Sequence, residues 1–397
     1  MVNTPLKKTA DVVIIGGGCN GTSTALHLAK RGVKNVVLVE KNYLTSGATE
    51  DSIGNLRPYT SSETMARILQ KSIEIFRNFD QIIGGDPKHM QNGRIWVVSE
   101  KRKSLLKNTV AKHQKWGIKA KLISLEELKE LMPQATVEGI AAAAYFEEAG
   151  NCDTVSTTYA YADRARERGV NIYEETEVTN IKVSGGKVRS VVTNKGEIST
   201  PVVVNAAGFF SDRVGRMVGL EIPISPTRQQ NIFLRRPYDF IGIFPQFHDG
   251  IKEVAYRPFR PDLERLIQVY KTIITPPEVV NPDKYKDEVD DEFRDMVLQE
   301  AYRRMPVLKR ASYRGGATGI YDETPDEGPI LGAVPEVEGL YLHCGWSGLG
   351  FQTSPAMGDL MAELITTGKT SFVDLSIFRL SRFKEGKLLE SDWYVEE

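Results

Sequence analysis

The run Asp11-Val-Val-Ile-Ile-Gly16-Gly17-Gly18-Cys19-Asn20-Gly21 constrains this chain more than any other stretch. Val12 to Ile15 is an uninterrupted apolar segment, the pattern of a parallel strand buried on both faces, and glycines end it at once. Gly16, Gly18 and Gly21 fit G-x-G-x-x-G. Those glycines allow a tight turn, close backbone approach to a pyrophosphate, and close packing of helix on strand. Helix-forming residues with apolar spacing follow from Thr22 to Lys30, so the predicted helix turns its N-terminus toward the phosphate charge. Gly32 ends it, and Val36 to Val39 reads as a second strand. Glu40 then stands about twenty residues past the glycines, where an acid grips ribose hydroxyls. An acid there also disfavours a cofactor with a 2′-phosphate. Strand, helix, second strand and acid stand in register, which predicts a dinucleotide-binding start rather than a bare βαβ unit.

At 397 residues the chain exceeds what one hydrophobic core organises, so two domains are expected. Its 41% apolar and 26% charged content is that of an ordinary globular protein. The formal net charge of −1 offers no basic surface for nucleic acid or an anionic membrane. Cys19, Cys152 and Cys344 are widely spaced, without metal-ligand pattern, and fit a reducing cytoplasm without disulfides. His27, His89, His113 and His248 lack metal spacing, and no metal is expected. The polar first ten residues lead straight into the first strand, with no signal-peptide pattern, and no apolar run reaches membrane-span length. These features predict a soluble cytoplasmic enzyme or binding protein.

Further along, Lys41 to Pro58 reads as a loop of small residues, and Ser62 to Phe79 as a helix capped by Thr60 or Ser61. A strand (Gly93 to Val98), a basic helix (Lys101 to Trp116) and a helix opened by Ser124 begin an inserted domain. Asp153 to Gly169 is predicted helical, Val170 to Tyr173 a strand, and Val178 to Thr193 a hairpin turning at Gly185-Gly186. Val202 to Gly208 is a second buried strand running into small residues. Asp287 to Arg304 reads as a charged helix, Leu340 to Cys344 as a last short strand. A final helix over Ala356 to Thr366 is predicted, capped by Ser354 with Pro355 at its first position.

With these pieces placed, the chain resembles the FAD-dependent amine and amino-acid oxidoreductases of the D-amino-acid oxidase superfamily, of the sarcosine oxidase, glycine oxidase and proline dehydrogenase β-subunit type. The resemblance runs from Asp11 to about Phe383. Ser46-Gly-Ala-Thr-Glu-Asp-Ser-Ile-Gly-Asn-Leu-Arg57 is similar to the segment that passes over the flavin. Val204-Asn-Ala-Ala-Gly208 is similar to the family's V-N-A-A-G strand end, and Asn281 to Phe293 to a stretch of the β-subunit branch. Gly319-Ile-Tyr-Asp-Glu-Thr-Pro-Asp-Glu-Gly-Pro-Ile-Leu-Gly332 matches a G-L-Y-x-x-T-P-D-x-x-P-I-L-G pattern, and Gly345-Trp-Ser-Gly-Leu-Gly-Phe351 the loop before the last helix. A fingerprint so near the N-terminus of a long chain also favours FAD over NAD.

The resemblance implies an α/β fold: a Rossmann-like FAD-binding domain (residues 9–83, 150–218 and 319–380) with a mostly antiparallel-sheet substrate domain inserted (84–149 and 219–318). A C-terminal tail, 381–397, would follow. It assigns cofactor contacts to Gly16, Gly18, Cys19, Asn20 and Gly21, and to Glu40 and Lys41. Ser46, Gly47, Ala48, Ser52, Gly54, Asn55 and Leu56 follow in the covering segment, then Val178, Ala207, Gly208 and Gly319. Gly345, Gly348, Leu349, Gly350, Phe351 and Gln352 complete the set, their backbone N–H groups approaching the flavin edge. Amine oxidation moves a hydride equivalent, so positioning outweighs a strong acid or base. A carboxylate substrate calls for the fork of an arginine. Arg57, Tyr256, Arg257 and Tyr321 are the substrate-site candidates, with Arg314 a replacement for Arg257. His343 and Cys344 are expected to be fillers of a buried strand.

Departures from the family pattern matter. Gly319 stands where monomeric sarcosine oxidases carry a flavin-bonding cysteine, and Thr45 to Arg57 holds no histidine, which implies noncovalent FAD. Glu50 and Asp51 would repel a pyrophosphate and are expected to face solvent or a partner subunit. Leu349 replaces a common histidine. The expected activity is oxidation of a small or secondary amino acid of the sarcosine, proline or glycine type to an imine, with oxygen or a carrier as electron acceptor. Alternatives are a glycerol-3-phosphate or 2-hydroxy-acid dehydrogenase, and a subunit active only in a hetero-oligomer with an α subunit. A homo-oligomer is the other assembly considered.

Overall fold

The computed structural model describes residues 5–240, 242–259 and 265–389. Its first sheet has six strands in the order Ile330–Ala333, Leu340–Cys344, Val203–Asn205, Val12–Ile15, Val36–Val39 and Asn171–Tyr173. All neighbours pair in parallel except the first two. Val12–Ile15 and Val36–Val39 are buried along their whole length, as unbroken apolar runs require when both faces of a sheet are covered. Helices Cys19–Lys30, Glu63–Arg77, Thr154–Arg166 and Gly350–Thr367 pack together over one face. Val178–Ser184 and Lys187–Thr193, with Gly196–Ser199, form a small sheet against the other.

The second sheet has eight strands: Ser312–Glu323, Ser225–Arg235, Leu266–Lys271, Val254–Pro258, Gln246–Asp249, Arg94–Val98, Ala142–Phe146 and Ala120–Ile123. Every pair is antiparallel except Gln246–Asp249 with Arg94–Val98. Strand alternation divides its side chains. Ile95, Val97, Val254, Tyr256, Ile267 and Val269 enter an apolar core with Phe293, Val297 and Ala301 of helix Asp291–Arg304. Their neighbours Arg94, Arg257, Gln268 and Tyr270 therefore leave on the opposite, polar face.

Several local expectations shift. The first helix begins at Cys19 rather than Thr22, because glycines leave its first turn unobstructed. Ser62 caps the next helix, accepting the Met65 N–H, instead of Thr60 or Ser61. The supposed loop after Glu40 holds a short helix, Ala48–Asp51. The last helix starts at Gly350, so Ser354 and Pro355 lie inside it, and its N-terminus advances to the glycine loop. Strand Ser312–Glu323 runs without a break through the expected domain boundary at residue 319. The segment assigned to a tail is docked as far as Leu389: Arg382, fully buried, donates two 2.8 Å hydrogen bonds to Asp326. Residues 390–397 lie outside the described residues. Among the described residues, no helix is long and apolar enough to cross a membrane.

Candidate active site

A cleft of about 350 Å³ opens across the carboxyl ends of the parallel strands, with Ile15, Val39 and Ala206 in its lining. Val12–Ile15 lies between Val36–Val39 and Val203–Asn205 and pairs in parallel with both, and the carboxyl ends of such strands are where open parallel sheets bind ligands. Gly16 has φ +113°, and a Cβ on it would lie 2.3 Å from the Ala206 carbonyl oxygen, so only glycine lets the turn pass under that strand end. Gly18 caps the helix without a side chain, and the Cys19 N–H donates to Thr49 Oγ1 at 3.1 Å. The positive end of the helix thus faces the cleft. Glu40 Oε2 accepts the Gly17 N–H at 2.7 Å and Oε1 the Asn42 N–H at 2.9 Å, which fixes the carboxylate beside the glycine turn.

Lys41 Nζ sits 3.4 Å from the Phe210 ring centroid at one wall, with the Arg213 guanidinium 4.7 Å from the same ring. Gly348, Gly350 and Phe351 close the far end together with His343 and Trp346. His343 Nδ1 is 3.1 Å from Thr24 Oγ1, and burial pushes its pKa down to about 3, so the ring is neutral. Asn20 Oδ1, His343 Nε2 and Trp346 Nε1 are buried polar atoms of this lining without a hydrogen-bond partner among the described residues. A ligand rich in nitrogen and oxygen would satisfy them. The glycine turn, the carboxylate and these atoms together fit a dinucleotide carrying a polar ring system.

A second cavity of about 130 Å³ adjoins the first, and Ser52, Tyr321, Gly348 and Phe351 line both. Gly348 has φ +84°, and a Cβ there would lie 2.8 Å from the Tyr321 ring, so this glycine sets how closely the aromatic approaches the loop. Burial pushes the Tyr321 phenol up to about 12. Arg57 and Arg94, both buried, line the cavity and converge on one aromatic: their guanidinium carbons lie 5.4 and 5.7 Å from the Tyr59 ring centroid. Tyr59 is itself held by stacking on Trp96 at 5.7 Å. Arg94 Nη1 donates to Gln246 Oε1 at 3.0 Å, while its Nε has no partner among the described residues. Gln352 Oε1 accepts the Arg57 N–H at 2.9 Å, tying the covering segment to the last helix.

A protein-family model for FAD dependent oxidoreductases matches residues 11–364. The chain belongs to that family. It is 29% identical to the mitochondrial sarcosine dehydrogenase of Mus musculus across 99% of its length, but spans only 43% of that relative. Its identity to the sarcosine oxidase subunit beta of Rhodobacter capsulatus is 25%, covering 97% of this chain and 91% of the relative. The crystal structure of L-proline dehydrogenase from P. horikoshii superposes with a TM-score of 0.89 at 28% identity, over 97% of this chain and all of that one.

Among the residues that the resemblance assigns to the cofactor, the glycine turn, Glu40, Lys41, Ser46 to Ala48, Ser52, Val178, Ala207, Gly208, Gly348, Gly350 and Phe351 line the first cleft. Gly21 does not, because it packs the helix on the strand: a Cβ there would lie 2.0 Å from the Gly16 carbonyl oxygen. Asn55 and Gln352 line the second cavity instead, and Leu56 and Leu349 are in the core. A Cβ on Gly54 would meet the Cys152 carbonyl, a purely structural constraint. Gly319 borders a smaller cavity, against Asp51. The expectation for Gly345 also changes, since its N–H donates at 2.9 Å to Asp322, whose carboxyl burial raises to about 6.

The substrate candidates divide likewise. Arg57 and Tyr321 line the second cavity. Tyr256 is corrected to a core residue, fully buried against Phe247 with ring centroids 6.0 Å apart. Arg257 shares the polar face but does not line the cavity; its Nε donates to Gln268 Oε1 at 2.7 Å, and burial lowers its pKa to about 10. Arg314 is exposed, away from both cavities. Glu50 and Asp51 are both exposed, as expected; Asp51 also lines the first cleft, where desolvation, Glu50 and Asp287 push its carboxyl up to about 7. Sequence reasoning missed Arg94 and undervalued His343. Strand alternation could have flagged Arg94, a lone charge among the apolar residues of Arg94–Val98.

Proposed function

We propose that the protein oxidises the C–N bond of a small amino acid, of the sarcosine, proline or glycine type, to the imine. FAD would occupy the first cleft without a covalent bond. The flavin would supply the acceptor for the hydride that leaves the α-carbon. One observation carries the reading: two buried arginines converge on a cavity that shares a wall with the cofactor cleft. A buried guanidinium such as that of Arg94, whose Nε has no partner among the described residues, is costly unless an anion joins it, and a carboxylate fits a guanidinium fork in two-point fashion. Arg57 and Arg94 would hold the substrate carboxylate. Tyr321, with its phenol neutral, would orient the α-carbon toward the cleft, and the apolar ring of Phe351 would exclude water from the shared wall. No histidine lines the second cavity among the described residues, which disfavours a 2-hydroxy acid needing a base.

Noncovalent attachment is supported by Gly319 and by the Cys19 thiol, whose pKa burial raises to about 11. The three cysteines are free and buried. A partner subunit is a second reading, favoured by the likeness along most of a protein named as a subunit. The test is the anaerobic visible spectrum of the purified protein during addition of sarcosine, L-proline, glycine and glycerol 3-phosphate in turn. Bleaching of the flavin band by an amino acid supports the reading, and admitting air then tells an oxidase from a carrier-linked dehydrogenase. A bound flavin that no amino acid bleaches refutes it. Acid precipitation that leaves the flavin in the supernatant supports noncovalent binding, and a band travelling with the native mass of a larger complex supports the partner.

A further inference from the structure

The second cavity carries charge of both signs. Glu323 lines it with Arg57 and Arg94. It follows Tyr321 by two residues in strand Ser312–Glu323, so alternation sends both side chains to the same side of the sheet. Thr227, which pairs with Tyr321 in register, gives Glu323 a hydroxyl hydrogen bond, and no cation pairs with its carboxylate among the described residues. Glu327, of its own sign, and Lys271 also line the cavity, the Lys271 ammonium donating at 2.8 Å to the Lys252 carbonyl; Asp322, the preceding residue, adds like charge from the other side of the strand. Burial raises its pKa. A half-buried carboxylate without a counter-ion is an arrangement that a structure tolerates poorly unless a ligand supplies the charge. Arg94 presents the complementary vacancy, a buried guanidinium whose Nε has no partner among the described residues.

We infer that Glu323 is the counter-ion of the substrate nitrogen, and that the cavity therefore recognises its substrate as a zwitterion, with the carboxylate at Arg57 and Arg94 and the ammonium at Glu323. The inference rests on the amino-acid reading above and adds a specificity-determining residue to it. It makes the site discriminate against carboxylates of the same shape in which an ether or hydroxyl oxygen replaces the nitrogen. Such a ligand carries no charge to offset Glu323 and leaves its carboxylate buried and unpaired.

The experiment uses the flavin-loaded protein and its Glu323→Gln variant. Whichever of sarcosine or L-proline bleaches the flavin is titrated anaerobically for its Kd. The matching oxygen isostere, methoxyacetate or tetrahydrofuran-2-carboxylate, is titrated by the perturbation of the flavin spectrum. Glu323→Gln should weaken the amino acid about tenfold, with the effect in KM rather than kcat, while the isostere keeps or improves its affinity. That retained affinity shows an intact cavity, which a misfolded variant would not give; Glu323→Asp, which keeps the charge, should recover most of the amino-acid affinity. Equal weakening of both ligands, or no weakening of either, overturns the assignment while the amino-acid reading stands. If no amino acid bleaches the wild-type flavin, the amino-acid reading itself fails, and this inference with it.

Discussion

Replacing Gly348 with alanine tests the junction of the two cavities. The backbone there has φ +84°, a left-handed conformation that costs an L-residue about 1–2 kcal/mol. The new Cβ would also lie 2.8 Å from the Tyr321 ring, where ordinary contact begins at 3.4 Å, so the ring must move away from the loop. Gly368→Ala isolates the first cost: φ is +75° and nothing lies within 4 Å of its Cβ. Unfolding entropy of roughly 2.1 cal/mol/K per residue makes each kcal/mol worth about 1 °C in a chain of this length. Gly368→Ala should therefore lower Tm by about 1–2 °C and leave kcat/KM unchanged. Gly348→Ala should lower Tm by about 2–4 °C and kcat/KM by about 100-fold, because a shift of about 1 Å in a positioning group costs that much. Thermal unfolding and steady-state assays with the amino acid that bleaches the flavin provide both numbers. Equal Tm losses in the two variants, with kcat/KM within about twofold of wild type in both, would refute the role given to the Tyr321–Gly348 contact.

Arg94→Gln should reduce kcat/KM by about 100-fold, mainly through KM, as expected when a charged hydrogen bond worth about 2–3 kcal/mol is lost; a change within twofold in steady-state kinetics would remove Arg94 from the site. Tyr256→Phe deletes a buried hydroxyl that has no partner among the described residues, so Tm should hold or rise by about 1 °C with kcat/KM unchanged, and a large kinetic loss would return Tyr256 to the substrate site. Asp51, with its pKa raised to about 7 from an unfolded value of 3.8, holds a proton in the folded state that it lacks when unfolded. Its contribution to stability thus falls as pH rises through that window. Asp51→Asn should flatten the decline in Tm between about pH 4 and pH 7, and an unchanged slope in thermal scans would show that this carboxyl is not the titrating group.

How far the site was legible varies residue by residue. Gly16 and Glu40 could be placed because their chemistry is local: a left-handed turn and an acid at a strand end follow from the neighbours in sequence. The start of the last helix was misplaced because Ser354-Pro355 is a valid N-terminal signature, and only packing of Phe351 on Phe76 and of Ser354 against Ser23 of the first helix extends the helix back to Gly350. Tyr256 and Arg257 could not be told apart for function, since adjacent strand residues point to opposite faces and the chain alone does not say which face meets the cofactor.

The sequence by itself determined the βαβ start, the position of the glycine turn, the acid opposite it and the family, because each is written in short-range pattern or motif order. Tertiary structure alone decided the substrate cavity. Arg57, Arg94, Tyr321 and Glu323 come from three separate stretches; the eight-stranded sheet joins Arg94 to Tyr321 and Glu323, and the covering segment, tied to the last helix at Gln352, adds Arg57. Pairing over such separations depends on which surfaces bury together, and no local stretch of sequence encodes that.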